Sequence, residues 1–468
     1  MEKVTSDLDV TKQLAEFTAN LDYDGLPDLV KDRTRLFVLD GLGIMLGAVD
    51  FARHDQDSCL ETYLELAAPS GSASVVGLDR KTTPMIAAFA NGTLSEVLDC
   101  QDTNIACRIH NGAAIIPAAL AMGEVLSSNG RDLMAAIVAG YETGCRLGLA
   151  NQPEHWYSGF QITGTYNTCG SAATAGRLLG FDVETMNAAL GISGFIIPVS
   201  NGDNVFKGHS IKPIHGGQPA TSGISAAYLA QSGYRAGPLE GEPPRFHSAL
   251  HILGNNKPNL KEAVHGLGEI WHSLEVGFKP YPVGLFNIGP VEICINLIKD
   301  NPIDISEVVS VEVLTYHDAW KFTGQKYTTT KSNYVDAHLS MPYSVAVTLM
   351  DGMMTPKQLS KNRLRDEKVH ELASRVNVVQ VEEMNKMYPH EWPVEIKIKF
   401  KDGNDLKQRI DQVKWSPRRP PPWEEMVQKF TNMAEPVIGS ESVKKVIDFV
   451  YNLEKKSSLN QLMELVSK

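Results

Sequence analysis

Two carboxylates, a hydroxyl and an imidazole fall close together in Asp99-Cys-Gln-Asp102-Thr103 and His110. Such groups can accept a proton, orient a neighbouring ring or hold an oxygen. A second cluster, Lys207-Gly-His209-Ser-Ile-Lys212-Pro-Ile-His215-Gly-Gly, brings two lysines and two histidines into a Gly/Pro-rich stretch. The whole chain carries 44 basic against 55 acidic residues, so this local positive cluster is out of character and suits an acidic ligand. A third, Gly277-Phe-Lys279-Pro-Tyr281-Pro-Val-Gly284, sets a lysine and a tyrosine in a proline-stiffened turn. Each cluster also has a bland reading: Asp99 and Thr103 as helix caps, the basic stretch as a solvated loop.

These side chains need elements to position them. Thr83 to Leu98 has helical periodicity with Pro84 at its start, where a missing N–H costs nothing, and Gly112 opens a second helix through Leu126. The first cluster is then a loop ahead of a helix N-terminus, which favours an anion such as a carboxylate. A small-residue helix from about Thr221 follows the second cluster, and an apolar helix through Ile298 follows the third. Gly140, Gly144 and Gly148 share one helix face and permit close backbone approach, a packing device. From about Leu274 the pattern changes. Val308–Tyr316 and Val394–Phe400 alternate like half-buried strands, and Asp402-Gly403 supplies a hairpin turn before Asp405–Ile410. Ser416-Pro-Arg-Arg-Pro-Pro-Pro-Trp423 is a stiff connector to two final helices.

Composition excludes several classes. No apolar run approaches the roughly 20 residues of a membrane helix, and the net charge of −11 gives no footprint for nucleic acid. Nucleotide loops of the glycine-rich kinds are missing from the sequence. Six scattered cysteines, Cys59, Cys100, Cys107, Cys145, Cys169 and Cys294, lack disulfide-like or zinc-like spacing. His247 and His251 have no partner to complete a metal set and read as surface histidines, so no metal is expected. The acidic start without an apolar core points to a cytoplasmic protein.

Taken in order, the clusters resemble the MmgE/PrpD family, which includes 2-methylcitrate dehydratase, cis-aconitate decarboxylase and iminodisuccinate epimerase. The matching words are Asn91-Gly with Leu98-Asp99-Cys-Gln-Asp102-Thr103 and His110, Phe160-Gln161-Ile-Thr with Gly170–Gly180, Lys212-Pro-Ile-His215-Gly-Gly, Phe278-Lys279-Pro-Tyr281-Pro, and Ala337-His-Leu-Ser-Met-Pro-Tyr343. The resemblance implies a mainly α fold: a large all-helical domain built from both chain ends (residues 1–273 and 414–468) with an inserted α+β lid (residues 274–413). It also implies a homodimer and a site between lid and helical domain. It implies a small di- or tricarboxylic acid as substrate, with His110 as general acid/base, Asp99 polarising it, Lys212 and Lys279 holding carboxylates with help from Thr103, Gln161, His215 and Tyr281, and Tyr343 protonating the opposite face. No cofactor is required if the lysines hold the carbanion. Loss of water is the leading reaction, with isomerisation, epimerisation or decarboxylation through the same carbanion as alternatives, and acid binding without turnover as a third. Two family histidine positions depart from the pattern: they hold Gln161 and Gly284, neither of which transfers a proton.

Overall fold

The computed structural model describes residues 8–55, 64–65, 71–206, 208–242, 247–327 and 333–467; Cys59 and Lys207 lie outside the described residues. The small-residue segments form the helices that the periodicity demands: α1 (Val10–Asn20), α2 (Asp28–Asp55), α3 (Pro84–Val97), α4 (Gly112–Val125), α5 (Gly130–Asn151), α6 (Asn167–Leu178), α7 (Val183–Phe195) and α8 (Ile214–Gln231). Pro84 occupies the first turn of α3, and Asn129 caps α5 by accepting from the Asp132 N–H. The glycine face of α5 meets its neighbours at backbone distance. A Cβ on Gly140 would lie 2.1 Å from Thr174 Oγ1, and one on Gly148 would lie 2.8 Å from Cys107 Cβ.

Two-residue strands interrupt the helices: β1 (Ala73–Ser74) pairs with β2 (Lys81–Thr82), and β3 (Thr103–Asn104) with β4 (Val276–Gly277). The helical region is therefore not purely helical, and its second strand pair, formed by segments far apart in sequence, reaches the expected domain boundary. Further on, β5 (Val308–Thr315), β6 (Val376–Gln380), β7 (Val394–Phe400) and β8 (Asp405–Ile410) form a sheet in the order β6-β5-β7-β8. β5 and β6 run parallel, and the other two pairs are antiparallel. Helix α9 (Ile288–Asp300) packs on β7 and β8, with Gly289 against Val394 and Val413. Helix α10 (Met341–Asp351) lies against α9.

The last long helix, α11 (Trp423–Tyr451), runs along α2. Phe430 and Met433 fill the spaces over Gly43 and Gly47, and Lys429 pairs with the buried Asp40 at 2.6 Å. One apolar core extends from Val10 to Val466, so the two ends of the chain share it. Among the described residues no helix is long and apolar enough to cross a membrane, and no group of three or more metal-ligating side chains occurs. The five described cysteines are free and buried. His247 is exposed.

Candidate active site

Helices α3 and α8 cross where neither carries a side chain. A Cβ on Gly216 would sit 2.4 Å from the Gly92 carbonyl, and one on Gly217 2.3 Å from the Phe89 carbonyl. That contact brings the start of α8, with Lys212 and His215, against the end of α3 with Glu96 and Asp99. A second device is the β3–β4 pair, whose register sets Thr103 opposite Gly277. It ties the loop before His110 to the segment that delivers Lys279. The Lys279 carbonyl in turn accepts from Lys429 of α11 at 2.8 Å.

At the junction Asp99 sits in the left-handed region at φ 48°, sparsely populated by non-glycine residues but tolerated by Asp. Its Oδ1 accepts from Lys279 Nζ at 2.8 Å and Lys212 Nζ at 3.2 Å. Glu96 Oε2 takes a further bond from Lys212 at 2.9 Å and lies 3.1 Å from His215 Nε2. Burial opposes ionisation of Asp99, yet Lys212 and Lys279 outweigh it and hold the carboxyl well below the usual carboxylate range. Burial likewise opposes ionisation of Glu96, and His215 and Lys212 drive its pKa down. Lys212, which burial would discharge, is kept charged by Asp99 and Glu96. Two buried ammonium groups and two buried carboxylates therefore balance. Each ammonium has three N–H donors and directs hydrogen bonds to two acceptors here, which leaves one donor each for a ligand.

His110 faces the same space. Its Nδ1 lies 2.9 Å from the Asp102 carbonyl and 2.7 Å from Thr103 Oγ1. A carbonyl only accepts, so Nδ1 carries the hydrogen and Nε2 keeps a free lone pair. Burial first, then Lys279, pushes the imidazole pKa down to about 3, so the ring is neutral near pH 7. Asp102 has the capping role open to the acids of this loop: it accepts from Gly112 N–H at 2.8 Å and Tyr141 hydroxyl at 2.6 Å, and burial raises its pKa to about 7.

A cavity of about 610 Å³, its open mouth included, gathers Asp99, Thr103, His110, Gln161, Lys212 and Lys279 along its wall. Gly284 lines it as well, and a Cβ added there would lie 3.7 Å from Asp99 Oδ2. Trp156, Phe286, Leu339 and Tyr388 supply apolar walls, an arrangement common to small-molecule pockets. His215 stands just behind, its ring parallel to His110 at 6.4 Å.

Two expected site residues lie elsewhere. Tyr343 is fully buried on α10, and its hydroxyl donates to the Gln358 carbonyl at 2.5 Å, so it does not reach the cavity as a proton donor. Tyr281 points into a separate groove with Met353, Lys414 and Glu425, because the two flanking prolines turn the chain away after Lys279. Sequence reasoning missed Glu96, which reads as an ordinary helix residue until α8 is laid across α3. It also missed His338, a buried ring 3.7 Å from Asp99 Oδ2 whose pKa burial pushes down to about 3, although it sits in a word the sequence had singled out. Arg108, on the cavity wall two residues before His110, was missed too.

A helical body with short sheets, holding a buried lysine–carboxylate cluster beside a neutral imidazole, is the frame against which comparison with known proteins is informative. The MmgE/PrpD N-terminal domain matches residues 12–242 and the MmgE/PrpD C-terminal domain residues 281–455. The chain belongs to the MmgE/PrpD family. It is 26% identical to a cis-aconitate decarboxylase of Aspergillus terreus, over 98% of this chain and 96% of that protein. It is 24% identical to the Homo sapiens cis-aconitate decarboxylase, over 98% and 94% of the two chains. A cis-aconitate decarboxylase-like protein of Aspergillus oryzae is also 24% identical, over 99% and 98%.

Proposed function

We propose that this protein is a lyase acting on a small di- or tricarboxylic acid through a carbanion next to a carboxylate, with loss of water as its reaction. The observation that carries this reading is His110, whose Nδ1 faces the Asp102 carbonyl and so leaves Nε2 without a hydrogen, on one wall with Lys212 and Lys279. The lysines hold a substrate carboxylate through their remaining donors, and Thr103 and Gln161 orient it. His110 takes the proton from the adjacent carbon. The electron pair becomes the C=C bond as the β C–O bond breaks, and the hydroxide takes up the same proton from the imidazolium to leave as water. Among the described residues lining the cavity, His110 is the only imidazole, which favours removal of hydrogen and hydroxyl from one face. These steps use the chain's own side chains.

A second reading, decarboxylation, is favoured by the full-length likeness to cis-aconitate decarboxylases. It needs a proton delivered to the carbon that CO₂ leaves, and Gln161 and Gly284, at two family histidine positions, supply none. Incubating the protein with 2-methylcitrate and with cis-aconitate, and following products by NMR in deuterated water, separates the two. Alkene from the hydroxy acid, abolished in His110→Ala, supports dehydration; efficient itaconate formation from cis-aconitate overturns it. Exchange with inversion and no net product would point to an epimerase, and neither exchange nor product to a binder. The partition into a helical domain (residues 1–273 and 414–468) and a lid (residues 274–413) belongs to the same reading, supported by α11 packing on α2. So does a homodimer, for which Phe195, Val199 and Ile252, 86%, 80% and 61% exposed, offer a self-associating apolar face.

A further inference from the structure

Arg108 lines the cavity yet takes no part in the lysine–carboxylate cluster. It stands in a tight loop closed by reciprocal bonds between Asn104 and Ile109, N–H to carbonyl at 2.9 and 3.1 Å. Its own backbone is left-handed at φ 58°, a conformation that costs an arginine energy and persists only because the loop imposes it. The guanidinium lies 4.5 Å over the Trp156 ring, and Nη2 pairs with Asp318 at 2.9 Å. Nη1 is buried and has no hydrogen-bond partner among the described residues. A guanidinium cannot discharge to escape that situation, so its idle N–H groups call for an acceptor.

Lys212 and Lys279 are bonded to Asp99 and Glu96, whereas Arg108 is bonded to Asp318 and faces Trp156 and Tyr388, so one cavity has two separate cationic stations. The planar fork suits a carboxylate, to which it can give two parallel hydrogen bonds. We infer that Arg108 receives a second, remote carboxylate of the substrate and thereby selects acids that carry one. The inference rests on the reading of the site as a polycarboxylate site, and names what makes it prefer a longer acid to a shorter one. Asp318 competes for the same guanidinium, so it sets how strongly the station attracts an anion.

The test is calorimetric binding of two unreactive acids, tricarballylate, whose end carboxylates are 1,3-related and supply the remote group, and succinate, whose two carboxylates sit on neighbouring carbons and supply no group at that spacing. Wild type binds tricarballylate more tightly. Arg108→Gln weakens tricarballylate about tenfold or more and succinate by less than about twofold. Asp318→Asn, which frees Nη2, tightens tricarballylate. A folded Arg108→Gln that loses both acids equally, or neither, overturns the inference and shows that Nη1 is satisfied by water, while the polycarboxylate reading survives. Failure of the wild type to bind either acid overturns that reading itself.

Discussion

Replacing Asp99 by Asn removes one charge and little else. Asn adopts left-handed φ as readily as Asp, so the backbone at φ 48° is not disturbed. In the native site Lys212 and Lys279 are balanced by Asp99 and Glu96, all four buried. The variant keeps both ammonium groups and one carboxylate, a surplus of one positive charge. Breaking a buried pair costs about 3–5 kcal/mol; the retained amide oxygen and the intact Glu96–Lys212 contact put the expected loss near 3 kcal/mol. Urea unfolding followed by circular dichroism at neutral pH measures it. The pH dependence has a fixed sign. The Asp99 carboxyl is depressed in the folded protein, so its contribution is present above the ordinary carboxylate range and lost as pH falls through and below it. The variant should lack that acid limb. Surplus charge in the cavity should also make added citrate stabilise the variant more than the wild type. A loss below about 1 kcal/mol, with the same response to citrate in both proteins, would show that the lysines do not depend on Asp99.

Tyr343→Phe should leave turnover unchanged and lower stability by about 1 kcal/mol, because only the bond to the Gln358 carbonyl is lost; a fall in kcat would return the phenol to the chemistry. His155 and His338 are fully buried with pKa values lowered by burial to about 3, so the unfolded chain binds protons first, and stability falls as pH drops from about 6.5 towards 3. Each contributes up to about 1.4 kcal/mol per pH unit there, and Gln at both positions should flatten an acid melt; Asp102, raised to about 7, works in the opposite direction, its contribution fading as pH rises through neutrality. Gly284→Ala keeps an ordinary φ of −53°, but its Cβ would lie 3.1 Å from Leu339 Cδ2, so the cavity narrows. The KM of a bulky acid should rise more than that of a small one, and equal effects on both would mean Gly284 does not shape the substrate end.

Local signals carried far in this chain. Pro84 and the apolar period placed α3, and the alternation of Val394–Phe400 with the Asp402-Gly403 turn placed the β7–β8 hairpin. Strand β6 escaped because five residues, Val376-Asn-Val-Val-Gln380, give too short a period, and its parallel pairing with β5 is non-local. Words shared with a family marked Asp99, His110, Lys212 and Lys279, and the fold brings them to one cavity. Glu96, Arg108 and His338 escaped for another reason: each gains its meaning from a neighbour distant in sequence, namely Lys212, Asp318 and Asp99. Tyr343 misled because its residue type suits proton transfer, while its helix turns it towards Gln358.

The ammonium of Lys429 touches Asp40, the Cys100 carbonyl and the Lys279 carbonyl. During synthesis, all three partners have left the ribosome long before Lys429 itself exists. The peptide that carries Lys279 thus gains its brace only when α11 arrives. A nascent chain halted before residue 429 can build α3, α4 and α8 but keeps a loosely held lysine, so assembly of the site waits for α11 and competes with whatever else can bind the exposed face of α2.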